Sequence, residues 1–131
     1  MSNKGCQQLQ STASEYLVRH RSILDVMSKF QDSSAHINRS IVKAVTTCGC
    51  LEIDASKQSI PDNITLSEIS NYVQTHLKGT LCPNCVEVLE NELGAALFYL
   101  AGICNLLGLN MDSIISKENE RLETLGVYSL M

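Results

Sequence analysis

The 131-residue chain is 44% hydrophobic and 18% charged, and 14 acidic against 10 basic side chains give it a formal net charge of −4. A composition this apolar excludes an intrinsically disordered tail, and the length suits one folded domain spanning 1–131 with a single core. The acidic balance, the absence of a Lys/Arg stripe, and only four tyrosines and two phenylalanines argue against nucleic acid, because little is available to neutralise phosphates or stack on bases.

Residues Met1 to Gln10 are polar and lack the apolar core and small-residue cleavage site of a secretory leader, so 1–13 reads as a frayed end. From Ser14 to Phe30, apolar residues at Tyr16, Leu17, Ile23, Leu24, Met27 and Phe30 keep the three-and-four spacing of one helical stripe. The basic cluster Arg19-His20-Arg21 within it reads as a solvated helix face. Asp32, Ser33 and Ser34 offer caps for a second helix that continues through Ile37, Ile41, Val42 and Val45 and is expected to stop at Thr46-Thr47-Cys48-Gly49-Cys50.

Leu51 to Ile64 reads as a connecting loop, with room for a short extended piece. Thr65 and Glu68 have the spacing of a capping box, opening a short helix through Tyr72, Val73 and Leu77 that ends at Gly79. Cys82-Pro83-Asn84-Cys85 leads into the longest helix, whose stripe is Val86, Leu89, Leu93, Leu97, Leu100, Cys104 and Leu107. Gly108 ends it. Asn110 or Asp112 caps a last helix with Ile114, Ile115, Leu122 and Leu125 as its buried stripe.

The pattern predicts an all-α fold, a helical bundle of four principal helices plus a short helix, with the last two helices antiparallel. The most apolar stretch, Leu93 to Leu109, is broken by Asn105 and three glycines and falls short of the roughly 20 apolar residues that span a bilayer. No membrane partner is expected. The reading is a cytoplasmic protein whose six cysteines stay reduced, which directs attention to metal ligation or thiol chemistry.

Cys48, Cys50, Cys82 and Cys85 form a Cys-x-Cys and a Cys-x-x-Cys that can supply four thiolates to one tetrahedral ion at one end of the bundle. Structural zinc is the leading expectation. An iron–sulfur cluster uses the same ligands, a reactive dithiol at Cys82 and Cys85 is a third reading, and four unrelated thiols a fourth. Cys104 falls on the apolar stripe and reads as core. His20, His36 and His76 are scattered without ligand spacing.

The segment Glu92-Leu93-Gly94-Ala95-Ala96-Leu97-Phe98-Tyr99-Leu100, followed by Leu107-Gly108-Leu109 and a capped final helix, resembles the all-α nucleoside triphosphate pyrophosphohydrolases of the MazG-like superfamily over roughly 86–125. The resemblance implies a helical bundle, a homodimer, a nucleotide ligand and magnesium held by several carboxylates. Glu92 matches the family's glutamate, but Ala95 stands where a metal-binding aspartate is expected. The Glu-x-x-Glu element of the preceding helix is missing, since Asp32 is the only acidic residue between Phe30 and Cys48. Glu87, Glu90 and Glu92 are the remaining catalytic candidates, against a plainer role as solvated first turns of a helix. Two functions follow: a non-catalytic binding or assembly module, or a divergent hydrolase.

Overall fold

The computed structural model describes residues 4–17 and 22–126, apart from the side chain of Leu66. Its helices are α1 (Lys4–Tyr16), α2 (Ile23–Lys43), α3 (Pro83–Leu107) and α4 (Met111–Leu125), with a 3-10 turn over Leu66–Asn71. Two short strands, β1 (Leu51–Ile53) and β2 (Leu77–Gly79), pair into an antiparallel ribbon. The fold is the expected all-α bundle of four helices, and its contacts divide into two compact units. One comprises Met1–His36 and Glu92–Met131, the other Ile37–Asn91.

In the first unit, α1 with Leu17 just after it, the second half of α3 and the start of α4 supply a core of Ala13, Leu17, Ala101, Cys104 and Met111. Cys6 and Leu9 flank this core, so Cys6, Leu9, Ala13 and Leu17 make one stripe at helical spacing along α1. The expectation of a frayed end is corrected for residues 4–13: three small or medium apolar residues suffice when Gln10 ties the helix down. The Gln10 side chain donates to the Leu109 carbonyl (2.7 Å) and accepts from the Met111 amide (2.9 Å), while its backbone carbonyl accepts from Asn105 Nδ2 (2.8 Å). One amide thus satisfies both sides of the turn between α3 and α4.

The expected helix from Ser14 to Phe30 is in fact the end of α1 and the beginning of α2, and the cluster Arg19-His20-Arg21 lies outside the described residues. α2 passes through Asp32-Ser33-Ser34 without a break, with Ser33 buried on the same face as fully buried Val26. Gly102 lets α3 approach closely: a Cβ there would run into the Leu17 side chain and touch Val26. Asn110, rather than Asp112, caps α4, accepting from the Ser113 amide at 3.0 Å. Between α3 and α4 the chain turns by 104°, a corner in place of the expected antiparallel reversal. Of the α4 stripe only Leu122 is half-buried, while Ile114, Ile115 and Leu125 are exposed.

In the second unit α2 widens into a π turn over Ala44–Cys48 and ends at Gly49, whose φ of 82° reverses the chain. The ribbon follows in register Leu51↔Gly79, Glu52↔Lys78 and Ile53↔Leu77. Leu77–Gly79 is therefore a strand, and the expected short helix is only the 3-10 turn. The Thr65 carbonyl accepts from the Glu68 amide at 3.0 Å, but its side chain makes no capping bond, its hydroxyl lying against that of Ser67 at 3.1 Å. Strand pairing to β1 outcompetes the weak helical pattern near Gly79. His76, at a φ of 59°, turns the chain into β2 and accepts the Asp54 amide at 2.9 Å.

Candidate metal centre

The four cysteines lie on three local structures, each of which positions a sulfur. The π turn closes with the Gly49 amide on the Ala44 carbonyl at 2.9 Å, and Thr46 bonds back to the Val42 carbonyl at 2.9 Å. This wider turn and the left-handed Gly49 present Cys48 and Cys50 on either side of the reversal. Cys50 then leads into β1, whose first residue, Leu51, is buried.

The ribbon carries the chain to the second pair. Gly79, at a φ of 84°, faces the Cys50 carbonyl where a Cβ would collide, so only glycine permits this approach. Cys82 sits at the head of α3. Its carbonyl accepts from Val86 at 2.9 Å and its sulfur from the Cys85 amide at 3.4 Å, so the thiol occupies the place of an N-cap oxygen. Pro83 at the first helical position loses nothing by having no N–H.

The four sulfurs all lie within 4.8 Å of one another, and those of Cys48 and Cys82 are 3.6 Å apart. Tetrahedral zinc with Zn–S bonds of about 2.3 Å holds its sulfurs about 3.8 Å from each other, so the group has the dimensions of a single-ion site. Cys48 is exposed and the other three are half-buried, and none of the six cysteines is in a disulfide. Among the described residues no other set of three His, Cys, Asp or Glu side chains has this geometry. His36 and His76 stand outside it.

Electrostatics prepares the site unequally. The Cys85 amide, then hydrogen bonds with the Cys85 and Cys48 thiols, lowers the Cys82 pKa to about 7. Cys85 is pushed up to about 12, first by its hydrogen bond to Cys82 and then by burial. At Cys48 the Cys50 amide favours the thiolate, but hydrogen bonds to Cys82 and Cys50 outweigh it and the net displacement is upward. Cys82 is thus the natural first ligand, and a cation arriving there lowers the cost of ionising the other three.

The carboxylate candidates are arranged differently. Glu87 and Glu90 are exposed on α3 one turn apart, whereas Glu92, two residues further, faces another side of the helix. Glu92 is half-buried with Oε2 3.6 Å from His36 Nδ1, and His36 Nε2 is 3.8 Å from Asp32. The pairing of His36 with Glu92 had no signal in sequence spacing. Cys104 is buried in the core, where burial raises its thiol pKa.

No protein-family model matches the chain, and no curated protein or solved structure is significantly similar to it. Among the described residues no single helix is long and apolar enough to cross a membrane.

Proposed function

We propose that this chain is a zinc-stabilised helical module for binding or assembly, a divergent relative of the MazG-like pyrophosphohydrolases without their reaction. The observation that carries the reading is the set of four sulfurs within 4.8 Å, delivered by a helix end, a ribbon and a helix start. Cys48, Cys50, Cys82 and Cys85 would hold the ion as thiolates, and the ion would supply structural cross-linking. The sulfur spacing favours one ion over an iron–sulfur cluster, in which several irons spread the thiolates further apart.

A module reading also fits the acidic residues. Glu92 is engaged with His36, and Ala95 offers no ligand one turn further along α3. The alternative, a magnesium-dependent nucleotide hydrolase, draws on exposed Glu87 and Glu90, which share a face of α3. Pyrophosphate release from nucleoside triphosphates with magnesium, lost in a Glu87→Gln/Glu90→Gln variant, would favour that alternative.

The direct test is elemental analysis of untagged protein purified without air or added metal. About one zinc per chain and no visible absorption band is the expected result. Iron with a visible band, or four freely titratable thiols and no metal, would overturn it.

A further inference from the structure

The four sulfurs of the cysteine cluster are not equally shielded. Cys50, Cys82 and Cys85 are half-buried, whereas Cys48, the last residue of the π turn, is exposed. The backbone beside it is open as well: apart from chain neighbours, nothing lies within 4 Å of where a Gly49 Cβ would stand. A small oxidant therefore meets Cys48 first, because thiol oxidation follows thiolate character and access, and a metal-bound sulfur is a thiolate outright. The second observation is a distance. Cys48 Sγ lies 3.6 Å from Cys82 Sγ, which the Cys85 amide holds at the head of α3. An oxidised Cys48 thus has a resolving sulfur already beside it.

We infer that Cys48 is a site of oxidation by hydroperoxides, and that the Cys48–Cys82 disulfide formed there releases the zinc. The inference rests on the metal reading above and names the regulation of the same site. The Cys48 thiolate attacks one peroxide oxygen, the O–O bond breaks, hydroxide leaves, and the sulfur, two electrons poorer, is a sulfenic acid. The Cys82 thiolate then attacks that sulfur and displaces a second hydroxide as the S–S bond forms. One hydrogen peroxide is reduced for each disulfide. Only two thiolates remain, too few for a closed site, and Cys50 and Cys85 take up protons as the ion departs. The new bond joins positions 34 residues apart, with the ribbon between them. It keeps the end of α2 tied to the head of α3 after the metal has gone, which chelation does not.

The test treats the full chain, its zinc content measured beforehand, with stoichiometric hydrogen peroxide under a chromogenic zinc indicator, and maps its disulfides by mass spectrometry. Zinc is expected to leave in step with a Cys48–Cys82 disulfide, and dithiothreitol with added zinc should restore the starting state. Amides of Leu51–Ile53 and Leu77–Gly79 should exchange at least roughly tenfold more slowly in the oxidised protein than in the reduced, chelated one. Cys6→Ser, at the edge of the other unit's core, should release zinc as wild type does. Zinc retained under peroxide overturns the inference, and so does release with Cys82 joined to Cys85 or with Cys48 still reduced. Those results leave the metal reading standing. Protein without zinc at the outset refutes the metal reading and the release with it, whereas the disulfide map of the same sample still decides the pairing.

Discussion

The two units solve the stability problem by different means. The first has a core that five buried side chains from α1, α3 and α4 share, with Gln10 closing the hydrogen bonds at one corner. The second buries few apolar residues, chiefly Ala44, Leu51 and Leu89, and much of its chain is a three-residue ribbon and an exposed loop. So small a core does not offset the entropy of ordering such a segment. The contrast teaches that the cysteines are placed where the hydrophobic effect is weakest, and structural zinc is worth on the order of 10 kcal/mol in small peptides.

Metal removal should break the comparison most sharply. Hydrogen exchange after chelation is expected to show Leu51–Ile53 and Leu77–Gly79 losing protection while the amides of Ala101 and Cys104 keep theirs; uniform loss in both units would refute the division. Cys82→Ser should reproduce the chelated pattern, whereas Cys6→Ser, at the edge of the first core, should not. Next in size, Gly102→Val forces a branched side chain against Leu17 and Val26 and should cost about 1–3 kcal/mol in urea unfolding, without releasing metal.

Gln10→Ala removes two hydrogen bonds at the α3–α4 corner and should cost about 1–2 kcal/mol, again confined to the first unit. The smallest effect is one of pH. In metal-free protein, Cys82 titrates below the ordinary thiol value because the fold favours its thiolate, so its contribution to stability is present above that value and is lost as pH falls through about 7. Alkylation mapped by mass spectrometry should therefore rise at Cys82 with a midpoint near 7, with Cys85 reacting last, its pKa being about 12. Equal rates at the two thiols would contradict the hydrogen-bond assignment.

Long periodic stretches were legible in the sequence, as were the cysteine pairs. The apolar run from Val86 to Leu107 could only be a helix, and Asn110 and Gly108 marked its turn into the next. Less legible was α1, where Cys6, Leu9 and Ala13 are spaced correctly but sit among glutamines and serines, so that composition concealed the period. Of the ribbon, only room for a short extended piece within Leu51 to Ile64 was legible, because three-residue strands carry little pattern of their own, and Leu77–Gly79 becomes a strand only through its partner Leu51–Ile53. At the cysteine cluster, the spacing pointed to the four sulfurs that the fold brings together but not to the N-cap role of Cys82, which depends on where α3 starts.

The loop between the strands is tied by a side chain that imitates a strand. Gln58 donates from Nε2 to the Gln74 carbonyl at 2.7 Å and accepts the Gln74 amide at 3.1 Å, extending the ladder beyond the pairing of Asp54 with His76. The segment between these glutamines is already closed at its base, so lengthening it adds only the slowly growing entropy of a larger loop. Foreign sequence inserted between exposed Asp62 and Asn63 would therefore leave the ribbon and the cysteine geometry in place, making this position a natural attachment point for a reporter peptide.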